Sequence, residues 1–156
     1  MIYTKELVEI MKSYLDSKHI DYAFDAKQGA FTYKTVADAP IGTVYYHIKV
    51  MLHSYSISSA PADIKINASD FNAVADYLNR MNDVIPYAYA YVQDELLFCT
   101  HRLNCKGIVP TNDFIDNCFE KLSSAMNVYG KGANAITDGK GSAQEIFETY
   151  KSEVQL

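Results

Sequence analysis

The chain has no tryptophan, only four prolines, and no apolar run long enough to cross a membrane as a helix. A spanning helix is therefore not expected. Its three cysteines, Cys99, Cys105 and Cys118, are an odd set without close pairing, which argues against a disulfide framework and for a reducing compartment. An excess of basic charge is also missing. Fourteen Lys and Arg stand against nineteen Asp and Glu, a formal charge of −5, where a nucleic-acid or anionic-membrane binder needs a basic surface. The opening residues, Met1-Ile2-Tyr3-Thr4-Lys5-Glu6, show no basic stretch before an apolar one, so no signal peptide is expected. The Asn67-Ala68-Ser69 sequon has no meaning without a secretory route. These absences describe a cytoplasmic protein that binds neither membrane nor nucleic acid.

What is present is a single domain's worth of chain, 156 residues, with 13 Tyr and 7 Phe. Tyrosine-led aromatic content suits half-buried sheet surfaces with the polar tip turned to water. From Thr4 to Lys18, Leu7, Ile10, Met11, Tyr14 and Leu15 make one apolar helical stripe. The period then changes to two. Strands are expected at 22–25, 30–36, 43–51 and 54–59, the last stopped by Pro61. A second helix runs from Asn67 to Met81. Tyr87–Val92 and Leu96–Leu103 form a hairpin across Gln93-Asp94-Glu95. Thr111 caps a third helix that reaches Tyr129, with Gly130 placed for a left-handed stop. Three glycines between Lys131 and Gly141 read as a loose connection, and Ser142–Val154 as a last, short amphipathic helix. The fold class is α+β, an antiparallel sheet of five or six strands with three main helices on one face. Residues 1–138 make the domain and 139–156 a helical tail.

The stretch Ala73-Val74-Ala75-Asp76-Tyr77-Leu78-Asn79-Arg80-Met81-Asn82 resembles the end of a helix in YbjN-type domains. The hairpin Pro86–Leu103, the helix Thr111–Tyr129, and Ala60-Pro61 before the second helix follow in the order of that family, over roughly residues 4 to 136. The chain departs from the pattern at Asp83-Val84-Ile85-Pro86, where family members often carry glycine. The resemblance implies a fold similar to type III secretion chaperones, with helices on one face of a strongly twisted sheet. It further implies a homodimer that binds an extended protein segment, and a regulatory role. It brings no catalytic residue.

Candidate chemistry is sparse. Cys99 and His101, two apart on a strand, share a face and could begin a metal site, with His47 or His53 as a further ligand, but no clustered ligand motif supports it. No cofactor is expected. Cys105 precedes Lys106, whose ammonium would favour a thiolate, yet an unreactive exposed cysteine is the simpler reading; Cys118 lies in an apolar stripe. Asp70 and Asp76 fall on different helix faces. The glycine-lysine pairs at 130–132 and 139–141 match no phosphate loop. Residues 60–95 carry six acids, Asp63, Asp70, Asp76, Asp83, Asp94 and Glu95, against Lys65 and Arg80, which could make one flank acidic. Asn79 and Asn82 read as an ordinary helix stop.

Aromatic rows carry the main functional expectation. Tyr87, Tyr89 and Tyr91 alternate with small residues, and adjacent Tyr45 and Tyr46 put an aromatic on each face of one strand. If helices cover one face only, the other meets water, a second copy or a peptide. The leading expectation is a non-enzymatic protein-binding module using Tyr45, Tyr87, Tyr89 and Tyr91 or an open strand edge. The alternatives are a metal-dependent enzyme or sensor built on Cys99 and His101, and an oligomer in which the tail helix packs on a neighbouring copy.

Overall fold

The structure is a computed structural model that describes residues 3–154; residues 1, 2, 155 and 156, at the ends of the expected domain and tail, lie outside the described residues. Six strands, β1 (Ala23–Asp25), β2 (Ala30–Val36), β3 (Thr43–Val50), β4 (Ser54–Pro61), β5 (Tyr89–Gln93) and β6 (Leu96–Asn104), form one antiparallel sheet in the order β1-β2-β3-β4-β6-β5. The helices are α1 (Lys5–Ser17), α2 (Phe71–Asn82), α3 (Asn112–Thr137) and α4 (Ala143–Tyr150), followed by a 3-10 turn, Lys151–Glu153. This is the expected α+β architecture. Pro61 ends β4 as its last residue, beyond which Ala62 N–H donates to Thr43 O at 2.8 Å.

Period-two alternation decides what each sheet face carries. Phe31, Tyr33, Val44, Tyr46, Ile48 and Val50 turn inward from β2 and β3, and Tyr55, Ile57, Leu97, Cys99 and Leu103 continue that face on β4 and β6. Helices α1, α2 and α3 cover it, and the core is one cluster. Tyr55 OH donates to Leu7 O in α1, and Tyr14 of α1 stacks on Phe119 of α3 at 5.6 Å. Outside the first turn of α3, Lys18 and Tyr14 both donate to Asp116, at 2.7 Å each. These two bonds, Lys18's first, hold the Asp116 carboxyl below its usual range.

Tyrosine serves the core as well as the surface. Tyr55, Tyr77 and Tyr129 are fully buried, and each hydroxyl finds an acceptor, on Leu7 O, Val128 O and Asn82 Oδ1 respectively. Burial raises all three phenols, so they remain protonated donors. The expectation of outward polar tips fails for these three, because a backbone carbonyl or a side-chain amide satisfies the hydroxyl inside.

The third helix does not stop at Gly130. It runs two further turns to Thr137, burying Gly130, Gly132, Ala133, Ala135 and Ile136. The glycines are there for clearance. A Cβ at Gly130 would stand 2.3 Å from Ile41 Cδ1, and one at Gly132 only 2.0 Å from Tyr77 Cζ. The left-handed stop falls on Gly139, φ +70, with Gly139 N–H donating to Ile136 O and Lys140 N–H to Ala135 O. The segment read as a loose connection is thus mostly helix.

The last helix packs on its own chain. Ser142 and Glu145 form a reciprocal capping box that starts α4. Ala143 and Ile146 are buried against α2 and α3, Arg80 of α2 donates to Gln144, and Lys131 of α3 lies 3.5 Å from Glu153. Within this chain, then, α4 finds a covered face without a neighbouring copy.

Candidate functional site: the open face of the sheet

Among the described residues no helix covers the second face of the sheet. Its residues come from the same strands one position out of phase: Lys34 on β2, Tyr45, His47 and Lys49 on β3, Phe98, Thr100 and Arg102 on β6, and Tyr89 and Tyr91 on β5. Between these, β4 turns outward Ser54, Ser56, Ser58 and Ala60. A central strand of small residues flanked by larger ones makes a trough. The register fixes its walls. Ser56 pairs with Lys49 on one side and Arg102 on the other, and Ser58 with His47 and Thr100. Ala60 pairs with Tyr45, and Phe98 follows on β6 one residue beyond the Ser59–Cys99 pair. The trough therefore has two cations at one end, hydroxyls in the middle and two aromatic rings at the other end.

The aromatic end is a depression of about 360 Å3, with Tyr45, Phe98, Ser58, Ala60, Lys34 and Asp21 in its lining. That volume lies within the ~300–1,000 Å3 of small-molecule and side-chain pockets. Beyond Phe98 the rings continue as a ridge: Tyr91 stacks on Phe98 at 5.4 Å and Tyr89 on Tyr91 at 5.8 Å. Tyr45 and Tyr89 are each 54% exposed, so this aromatic surface meets water in the isolated chain. Ser58 and Thr100 hydroxyls bond to one another at 3.0 Å and close the floor. His47 sits among these groups; partial desolvation, and then the Lys49 ammonium, lower its pKa below the usual imidazole value.

Charge separates this face from the rest of the chain. Strands β2 to β6 contain no aspartate or glutamate, and their three cations, Lys34, Lys49 and Arg102, all turn outward. A chain of formal charge −5 thus keeps its carboxylates off five of its six strands. The acidic flank expected over residues 60–95 is partly used internally: Asp63 accepts from Thr43 N–H at 3.2 Å and Asp76 pairs with Arg80 at 3.0 Å.

The tyrosine row divides. Tyr89 and Tyr91 join the open face, and Tyr45 forms the opposite wall of the trough. Tyr87 does not stand with them. The chain bends at Pro86 and Tyr87, and β5 begins only at Tyr89. Tyr87 packs against the core, Lys121 Nζ lies 5.7 Å from its ring, and Ser124 of α3 bonds its hydroxyl.

The edge of the sheet at β5 is occupied from within. Ala90 pairs across from Cys99 and turns its N–H and C=O away from β6. Asn82 takes both: its Oδ1 accepts from Ala90 N–H at 2.8 Å and its Nδ2 donates to Ala90 O at 3.0 Å. The side-chain amide thus stands where a neighbouring strand's peptide would stand. Tyr129 OH holds it there, donating to Oδ1 at 2.7 Å. Asn82 is the last residue of α2 and its successor Asp83 has φ −71, so the left-handed helix stop expected at Asn79 or Asn82 is absent. The sequence signal for the real role is slight: an asparagine at a helix end, eight residues before a strand of small and aromatic residues.

The Cys99 and His101 pair shares the inner face. Cys99 is fully buried, and burial raises its thiol well above the usual value. His101 Nδ1 meets Tyr87 O. His47 stands on the opposite face of the sheet and His53 in the exposed turn after β3, so neither is brought to that pair. Among the described residues no group of three His, Cys, Asp or Glu side chains is placed to hold a metal ion. Cys105 is buried rather than exposed. Its N–H donates to His53 O, which tucks the residue inward, and burial raises its thiol despite the neighbouring Lys106. Cys118 is likewise buried in the α3 stripe. Among the described residues no helix is long and apolar enough to cross a membrane.

A six-stranded antiparallel sheet with helices on one face, in this connectivity, is a YbjN-like fold. The crystal structure of YbjN from E. coli, described there as "a putative transcription regulator", superposes with a TM-score of 0.61 over 82% of this chain and 91% of that one, at 16% identity. At that identity the likeness is one of fold. No family model and no curated protein sequence matches the chain.

Proposed function

We propose that this chain is a non-enzymatic binding module with a regulatory role, and that the open sheet face receives a protein partner. The observation that carries this reading is the uncovered trough along β4, walled by Tyr45 on one side and by Phe98, Tyr91 and Tyr89 on the other. Exposed stacked aromatics on a rigid sheet offer a large contact area at little entropic cost. Regulation is also the description carried by YbjN from E. coli, whose fold this chain shares. The alternative docking mode, addition of a strand at the β5 edge, is opposed by Asn82.

Self-association belongs to the same proposal, on a different surface. A two-fold pairing of open faces would bring together two surfaces that each carry Lys34, Lys49 and Arg102, with no strand carboxylate to offset them. The exposed apolar residues Leu52, Ile108 and Val109, at the end of the sheet, form the better contact for a homodimer in the cytoplasm.

The test is a peptide array of extended dodecamers, varied in charge and aromatic content, probed with the purified chain and with Tyr89→Asp. Tyr89 is half exposed, so the variant should melt as the parent does and lose binding. Equal binding by the two proteins would remove the sheet-face reading. Light scattering on the same samples reports the homodimer, which should survive Tyr89→Asp.

A further inference from the structure

We infer that the trough selects an extended acidic segment carrying an aromatic side chain and a carboxylate four residues apart. The inference rests on the binding-module reading above and adds the chemistry of the partner. Its basis is the register of β4 with its neighbours. Ala60 lies between Tyr45 and Phe98, and Ser56, four residues away, lies between Lys49 and Arg102. β3 and β6 each stand one strand spacing from β4, so the two walls rise about 9–10 Å apart. A planar side chain fits between the Tyr45 and Phe98 rings above the small floor of Ala60 and Ser58. The cation pair is farther along by four residues of strand, about 13 Å.

An extended peptide has the same rise and the same period. Side chains at i and i+4 of a strand point to one face and are separated by about 13 Å. An aromatic residue seated over Ala60 therefore carries a side chain at i+4 over Ser56, between Lys49 on β3 and Arg102 on β6, whose Nε donates to Ser54 Oγ at 3.4 Å and leaves its terminal nitrogens for the ligand. A carboxylate there receives two charge-assisted contacts. The side chain at i+2 falls over Ser58, between His47 and Thr100, where small or hydroxylated residues fit the closed hydroxyl floor. Strands β2 to β6 carry no carboxylate to repel an acidic partner; the one in the lining, Asp21, belongs to the aromatic end and not to the cation pair.

A single-stranded nucleic acid would also meet aromatics and cations here. The geometry favours the peptide. A nucleic-acid strand presents a phosphate at every nucleotide, whereas the trough concentrates its cation pair at one end, and the lining of the other includes Asp21 as well as Lys34. The rings of Tyr89, Tyr91 and Phe98 stack on one another, which hides faces that bases would need.

The experiment is fluorescence anisotropy with labelled decapeptides of serine and threonine. One peptide carries phenylalanine and aspartate four residues apart, a second carries them three apart, a third replaces the aspartate with asparagine, and a fourth replaces the phenylalanine with alanine. A labelled twelve-nucleotide single-stranded oligonucleotide is the competitor class. The expected result is tightest binding of the first peptide, with each of the other three weaker by about fivefold or more. Lys49→Gln with Arg102→Gln should abolish the preference for aspartate over asparagine, while leaving the preference for phenylalanine. Tyr45→Ala should do the reverse. All three side chains are exposed, so an unchanged thermal melt verifies the fold of each variant. Peptides that bind with no preference for the four-residue spacing overturn this inference and leave the binding module standing. Oligonucleotide binding lost in the same variants, with no peptide bound, overturns both readings.

Discussion

Tyr45 and Tyr46 are neighbours in sequence, identical in chemistry, and opposite in role. Tyr46 turns inward, 9% exposed, and stacks on Tyr33 at 4.9 Å with Phe119 of α3 at 6.0 Å. Tyr45 turns outward, 54% exposed, and stands on the wall of the trough. The strand pleat alone separates them. The two faces of the sheet differ in the same way throughout: one is filled by three helices, the other keeps aromatic rings, hydroxyls and cations uncovered. A folding requirement accounts for the first set. It does not account for the second, because a sheet face that only needed to be wet would be served by smaller polar side chains.

The sharpest way to break that comparison is to truncate both tyrosines. Tyr46→Ala should cost about 3–5 kcal/mol, the range for losing a large buried ring, and lower the denaturant midpoint accordingly. Tyr45→Ala should change stability by no more than about 0.5 kcal/mol. Equal losses would mean that the open face is covered by something within the fold. On the inner side, Gly132→Ala places a methyl group against the Tyr77 ring and should cost about 1–3 kcal/mol by overpacking, against the gain of helix propensity that alanine brings elsewhere. Adding Tyr77→Phe should not rescue it, since Cζ and Cε1 of the ring are themselves in the way. Thermal and urea melts read both.

The strands and helices α1 and α2 were legible because their information is local. Thr43–Val50 alternates cleanly, and Leu7, Met11, Tyr14 and Leu15 keep a helical stripe. The course of α3 past Tyr129 was not. Glycine is the usual sign of a helix end, and only the three-dimensional approach of Ile41 and Tyr77 gives Gly130 and Gly132 another reason to be glycine. Strand order was hidden for the same cause: β6 pairs with β4 and carries β5 to the edge, a long-range choice that periodicity within a segment does not record. Of the candidate site, Tyr45, Tyr89 and Tyr91 could be read from alternation, while Tyr87 failed because the bend at Pro86 interrupts the pattern. Lys49, Arg102 and the floor of β4 enter the site only once register is known.

The open face of the sheet and its guarded β5 edge should also respond differently. Asn82→Ala leaves Ala90 N–H and C=O without their partners and removes the nearer of the two acceptors of the buried Tyr129 hydroxyl, leaving Ala88 O at 3.3 Å. Unmade hydrogen bonds of this kind cost about 1–3 kcal/mol. The freed edge should then pair with other chains, so light scattering should show a concentration-dependent rise in mass beyond any dimer of the parent. Asn82→Asp keeps one acceptor and should fall between the two. A destabilised Asn82→Ala variant that shows no added association would make the amide a packing element rather than an edge guard.

The smallest expected effect belongs to His47, and it links the open face to pH. Desolvation and the Lys49 ammonium lower its folded-state pKa, so the folded protein binds that proton less readily than the unfolded chain. The contribution to stability is therefore complete above the unfolded value of 6.5 and is lost as pH falls through the lower folded value. His47→Asn should flatten that part of the stability curve between about pH 7 and 5, and Lys49→Gln should flatten it partly, because it removes the smaller of the two causes. Denaturant titrations at several pH values measure both. A carboxylate seated between Lys49 and Arg102 would favour the imidazolium next to it. Binding of the aspartate peptide should then take up a proton at His47 and tighten as pH falls from 7 to 6, in the direction opposite to the loss of stability of the free chain. A peptide affinity that follows stability downward over that interval would separate His47 from the binding face and confine its role to the fold.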